Sequence, residues 1–142
     1  QGQFPYQVAF CKDVNCEKYW GGSIFNETTI ITAAHCCEYI HLPDTKIVAG
    51  ELNLEVDSGI EQVRQIKSLL IHPDYNSDTV QNDICLLTLN SPLEFNGNVS
   101  RIYLDEEDPV VDTKCQVSGW GDLVVSIQST LHGSSKIFII HF

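Results

Sequence analysis

Thr32-Ala33-Ala34-His35-Cys36, read together with Asn82-Asp83-Ile84-Cys85-Leu86-Leu87, decides the reading of this chain. The histidine closes one β-type run, Thr28 to Thr32, and the aspartate opens another, Asp83 to Leu89. An ionised carboxylate set against Ile84-Cys85-Leu86-Leu87 is costly unless a partner offsets its charge. An imidazole, which titrates near neutral pH, is a suitable partner. The alternative is bland: a strand-edge aspartate and an unrelated surface histidine.

Outward from these motifs, short runs rich in valine, isoleucine and threonine recur between turn signals. Tyr6 to Phe10, Tyr19 to Phe25, Thr28 to Thr32, Lys46 to Ala49, Glu61 to Ile71 and Asp83 to Leu89 read as strands. Asn26-Glu27, Pro43-Asp44, Asp57-Ser58-Gly59, Pro73-Asp74 and Asn96-Gly97-Asn98 punctuate them. No long stretch shows a helical period, and one helical turn is expected at Ala33 to Cys37. This is the pattern of an all-β barrel or sandwich.

Composition narrows the functional class. The 142 residues suffice for one domain with a core, and 43% hydrophobic with 19% charged residues argue against disorder. Nineteen acidic against eight basic residues give a net charge of −11. That charge leaves no basic patch for nucleic acid or an anionic membrane. No apolar run reaches membrane-spanning length. Gln1-Gly2-Gln3-Phe4-Pro5 has neither the basic start nor the apolar core of a signal peptide, so none is expected here.

Five motifs follow one another in an order that resembles the trypsin/chymotrypsin family of serine endopeptidases, trypsins most of all. Pro5-Tyr6-Gln7-Val8 is similar to its opening strand and Gly21-Gly22-Ser23-Ile24 to its second. Thr32 to Cys36 is similar to its histidine motif, Asn82 to Leu87 to its aspartate motif, and Ser118-Gly119-Trp120-Gly121 to the first strand of its second barrel. The resemblance implies a fold of two antiparallel β-barrels with the catalytic cleft between them. It places residues 1–104 in the first barrel, 105–114 in an acidic linker and 115–121 in the first strand of an incomplete second barrel. Residues 122–142 form a tail without family pattern.

What the resemblance implies about chemistry is a Ser-His-Asp triad acting on protein or peptide substrates, with protease inhibitors as further partners. No resident cofactor is required. His35 would be the base and Asp83 the carboxylate that fixes its tautomer and stabilises the imidazolium. The Gly-Asp-Ser-Gly-Gly nucleophile motif occurs nowhere in the 142 residues. Gly21-Gly22-Ser23 leads into a strand and Ser118 belongs to the Ser-Gly-Trp-Gly strand, so neither is a nucleophile. The polypeptide is therefore expected to be inactive on its own. Two other readings stand beside this one: a non-catalytic homologue that serves as a binding module, and a truncated product without function.

A second stretch, Glu51 to Glu61, resembles the calcium loop of trypsins. The resemblance implies Glu51 and Glu61 as carboxylate ligands, with Asn53 and Val56 offering backbone carbonyls to a structural calcium. Ser58 stands where calcium-binding members carry an acid, and Asp57 is a candidate replacement. Otherwise the stretch is a solvated acidic loop.

Six cysteines point to an oxidising, secreted setting. Cys11 and Cys16 could bridge across a hairpin, with Cys16 to Cys36 or Cys37 as the competing pairing. Trp20 occupies the place of the family's partner for Cys36, and the partner of Cys115 is missing too. Cys85 reads as a small core residue. A zinc cluster of Cys16, His35, Cys36, Cys37 and His41 would lack any recognised spacing. Asn26-Glu27-Thr28 and Asn98-Val99-Ser100 are glycosylation sequons.

Overall fold

A computed structural model describes residues 2–12, 19–42, 44–56, 58–106 and 118–120. The chain separates into two compact units, Gln1–Tyr103 and Leu104–Phe142. Apart from 105, 106 and 118–120, the expected linker, second-barrel strand and tail lie outside the described residues.

In the first unit six strands and one helical turn follow in order: β1 (Gln7–Lys12), β2 (Tyr19–Asn26), β3 (Thr29–Thr32), α1 (Ala34–Cys37), β4 (Thr45–Ala49), β5 (Gln62–Ile71) and β6 (Cys85–Leu89). They close an antiparallel barrel in the order β1-β2-β3-β6-β5-β4, with β4 pairing back onto β1. The expected all-β class and first barrel are what the chain forms. Closure leaves no open sheet edge, the liability of short antiparallel sheets.

Side-chain alternation builds the interior. Thr45, Ile47 and Ala49 of β4 and Cys85, Leu87 and Leu89 of β6 point inward, while Leu86 and Thr88 face out. Val8, Phe10, Ile24, Ile30 and Ile66 complete the core, with Leu93 and Val99 from the segment after β6. That segment is tied down by backbone bonds from Leu93 N–H to Glu27, Ser100 N–H to Pro5 and Ile102 N–H to Ile24. The Asn96 side chain forms its turn by accepting from the Asn98 and Val99 amides.

One position in β2 admits no side chain. A Cβ on Gly22 would lie 2.8 Å from Phe10 Cζ, 2.9 Å from Ile30 Cγ2 and 3.0 Å from the Ile31 carbonyl oxygen. Phe10 and Ile30 are fully buried, so neither can swing away. Gly21, its neighbour, meets nothing within 4 Å. Gly22→Ala is therefore expected to destabilise the barrel by about 1–3 kcal/mol in chemical denaturation, the usual cost of overpacking. Gly21→Ala serves as the control and should change the midpoint little.

Candidate active site

Barrel closure sets β3 against β6, with Thr32 opposite Cys85 and Ile30 opposite Leu87. The chain leaving β3 turns through α1 and carries His35; the chain entering β6 carries Asp83. Their side chains meet, with His35 Nδ1 2.6 Å from Asp83 Oδ2. The other carboxylate oxygen, Oδ1, accepts the His35 backbone N–H at 2.8 Å.

Asp83 thereby does two jobs. The helix α1 is four residues long and its N-cap, Ala33, offers no side-chain acceptor. Single turns of this kind are costly to nucleate and leave N–H groups unpaired. A carboxylate from 48 residues away supplies the missing cap and also holds the ring. The Asp83 side chain is only 9% exposed, against 49% for His35. Burial pushes the Asp83 pKa up, yet the His35 amide, the His35 ring and the Ala34 amide together hold it below its ordinary value.

Local backbone aims the carboxylate. Asn82 adopts a left-handed conformation (φ 56°), which asparagine tolerates better than most residues. Its side-chain amide donates to the Asp74 carbonyl at 2.9 Å, and Ile84 N–H returns to the Asn82 carbonyl at 2.8 Å. His72 N–H then binds the Ile84 carbonyl at 3.0 Å.

On the other side of the ring lies Cys36, with Sγ 3.4 Å from His35 Nε2. Nδ1 faces Asp83, so Nε2 is the ring nitrogen turned toward the Cys36 sulfur and toward solvent. Cys36 is a free, buried cysteine. Burial first, and then the Asp83 charge, push its pKa up to about 11, against a hydrogen bond with Thr32 that lowers it. It stays a thiol at neutral pH and is a poor nucleophile. The Thr32 hydroxyl also donates to the Gly21 carbonyl at 2.8 Å, tying β2 to the start of the histidine turn.

Three cysteine expectations are corrected or resolved. Cys85 is not a lone core residue: it forms a disulfide with Cys37, with Cα atoms 6.6 Å apart. Register places Cys85 under α1, and its inward side chain meets Cys37 in the core. Cross-linking residues 48 apart stabilises by about 4 kcal/mol in the loop-entropy account. The competing pairing of Cys16 with Cys36 or Cys37 is excluded, because Cys37 is bonded to Cys85 and Cys36 is free. Cys11 is disulfide-bonded; Cys16 and Cys115 lie outside the described residues.

A signal for the Cys37–Cys85 bridge was present in the sequence. Cys37 and Cys85 each fall two residues after His35 and Asp83, so both pairs share one separation of 48. The zinc cluster finds no support among the described residues, and Cys16 lies outside them. His41 is exposed and pairs with Asp44 at 2.9 Å, and no group of three or more His, Cys, Asp or Glu side chains fit to hold a metal occurs among the described residues.

In the acidic loop, the Ser58 hydroxyl lies between two carboxylates, bonding Glu51 Oε2 closely and Glu61 Oε2 at 3.2 Å. Glu51 Oε1 accepts the Leu52 and Asn53 amides at 2.7 and 3.1 Å. Burial raises the Glu51 pKa and Glu61 raises it further, but the Ser58 hydroxyl and those two amides leave it lowered. The Asn53 carbonyl accepts Val56 N–H at 3.1 Å. Two carboxylates facing one hydroxyl are a hard-oxygen donor set; Asp57 lies outside the described residues.

The family model described as Trypsin matches residues 1–136. The chain is 37% identical over 125 residues to "Trypsin-1" of Astacus astacus, covering 84% of this chain and 53% of that protein. It is 36% identical over 118 residues to "Serine protease 1" of Canis lupus familiaris, covering 83% and 45%. With "Trypsin-3" of Homo sapiens it shares 36% over 122 residues, covering 86% and 38%. The chain thus spans about half the length of the curated relatives it matches, or less.

The Asp83 environment has a pH consequence. The folded chain binds the Asp83 proton more weakly than the unfolded chain does. Stability from this pair is therefore complete above the ordinary aspartate value of 3.8 and drains as pH falls from there through the lowered folded value. Asp83→Asn should flatten that part of the stability-against-pH curve, measured by denaturant unfolding at a series of acid pH values.

Proposed function

The chain belongs to the trypsin family of serine proteases, and on that footing we propose that His35 is the general base, and Asp83 its orienting carboxylate, in peptide-bond hydrolysis. The observation that carries this reading is the 2.6 Å contact between His35 Nδ1 and Asp83 Oδ2, made by a carboxylate that also caps the histidine's own helix. With Nδ1–H donating to Asp83, Nε2 presents its lone pair to a hydroxyl nucleophile. Nε2 takes the hydroxyl proton as the oxygen attacks the scissile carbonyl, and later returns it to the leaving amine. Asp83 stabilises the imidazolium between these steps. The half-exposed ring leaves room for that approach.

The nucleophile is not in this sequence, which contains no Gly-Asp-Ser-Gly-Gly. A polypeptide of these 142 residues is accordingly inert, and hydrolysis belongs to a protein that supplies the serine and its oxyanion donors. Protein or peptide substrates and protease inhibitors are the partners of that whole. Disulfides at Cys37–Cys85 and at Cys11 support an extracellular location.

A fluorophosphonate probe, which reports an activated serine, should leave the 142-residue polypeptide unlabelled; labelling would overturn its inertness. Fused to the nucleophile-bearing half of a trypsin relative, the chain should support amide hydrolysis. Asp83→Asn should then lower kcat by about 10⁴, because the ring loses its required tautomer. An unchanged kcat would remove Asp83 from the mechanism.

For the acidic loop we propose one structural calcium, held by Glu51 and Glu61 with the Asn53 and Val56 carbonyls. The convergence of both carboxylates on Ser58 supports it. With a Kd of about 0.1 mM, in the range of extracellular sites, calcium at ~1 mM would stabilise the fold by about 1.4 kcal/mol. Thermal unfolding with calcium at ~1 mM, a level suited to extracellular sites, checks this. A melting temperature indifferent to calcium and to Glu61→Gln alike would exclude the site.

A further inference from the structure

We propose that the Cys37–Cys85 disulfide is a positioning device for the His35–Asp83 pair, holding the histidine turn in register with the aspartate. The proposal rests on the reading of His35 as base and Asp83 as its orienter.

Two cross-links run side by side between α1 and the entry to β6. One is the His35–Asp83 hydrogen bond and the other the Cys37–Cys85 bond, each joining residues 48 apart. The second is anchored unusually well. Cys85 pairs with Thr32 in the β3–β6 ladder and with Ile71 on its other side. The same residue is bonded through its side chain to Cys37. The chain from Thr32 to Cys37 is thus tied at both ends to one residue of a closed barrel, and His35 lies between the ties.

The turn needs such an anchor. Three of its four residues, Ala34, Cys36 and Cys37, are buried, but it carries no cap of its own and the His35 ring is half exposed, so packing alone does not orient that ring. Cys37 and Cys85, by contrast, are 3% and 1% exposed and belong to the hydrophobic core. The bond fixes the C-terminal end of α1 to the core while Asp83 fixes the N-terminal end. Proton transfer tolerates little slack, since a misplacement of about 1 Å costs on the order of 10² in rate. Cys36 cannot take over the role, being a free thiol.

The test uses the 142-residue chain and proton NMR of the His35 Nδ1–H that Asp83 accepts, together with the carboxyl titration of Asp83. In a Cys37→Ala, Cys85→Val variant whose core methyl signals from Val8, Ile47 and Leu87 persist, the Nδ1–H signal should be lost to exchange with water. The Asp83 midpoint should move up toward the ordinary aspartate value. Cys11→Ala is the control: removing that disulfide should lower the melting temperature and leave both signals in place. A double variant that melts earlier yet keeps a sharp Nδ1–H signal and a low Asp83 midpoint would show a mere staple and overturn the proposal.

Native-state hydrogen exchange of the unaltered chain decides the matter if the variant does not fold. The His35 amide should open at the same free energy as Leu87 in β6; an amide that exchanges far faster than Leu87 overturns the proposal. An Nδ1–H signal absent from the unaltered chain overturns the base-and-orienter reading and this one with it. None of these measurements involves proteolysis, so the inertness or activity of the polypeptide does not bear on them.

Discussion

A buried carboxylate must find donors, and the way Asp83 finds them organises the site. Its position at the mouth of β6 removes most of its water, with 9% of the side chain left exposed. The donors come from a turn 48 residues earlier: the amide and ring nitrogen of His35, with the Ala34 amide. Neither partner is complete alone. The turn lacks a cap and the carboxylate lacks a counter-group, so each removes the other's cost. That mutual need is why a half-exposed imidazole can have a definite orientation.

The barrel makes this meeting unavoidable. β3 and β6 are distant in sequence, yet closure makes them neighbours, and register sets Thr32 opposite Cys85. Two residues upstream of that rung on one strand sits Asp83; three residues downstream on the other sits His35. Inward alternation along β6 puts Cys85 in the core beneath the turn, where it meets Cys37. The interior tolerates little adjustment. Gly22 lets Phe10 and Ile30 close over β2, and Val8, Ile47 and Leu87 fill the remainder without exposed area.

Sulfur chemistry in this site divides sharply between adjacent residues. Cys37 is spent in a bond to β6, whereas Cys36 keeps its proton and leans on the far nitrogen of the histidine. Burial and the negative charge of Asp83 both disfavour a thiolate there. The same carboxylate therefore favours the protonated thiol and fixes the orientation of the ring beside it.

Much of the fold was legible in the residues themselves. The strands expected at Lys46 to Ala49 and Glu61 to Ile71, the turn residues at Asn26 and Asn96, and the helical turn after Thr32 follow from local rules of propensity and turn. They formed within a residue or so of where expected, whereas the run expected from Asp83 becomes a strand only at Cys85. The meeting of His35 with Asp83 was expected from the resemblance of their motifs to the family's histidine and aspartate motifs, and an aspartate beside apolar residues, which needs a partner, agreed with it. The fate of Cys85 was not, although its spacing from Cys37 matched that of the histidine and aspartate. A cysteine on an apolar strand packs equally well as a thiol or as half of a bridge. Only barrel closure and strand register bring a second sulfur to it. Sequence by itself determined which residues prefer the interior and where the chain turns, since those depend on near neighbours. Tertiary structure alone decided which sulfurs bond and which amides cap the carboxylate, since those depend on distances set by pairing across 48 residues.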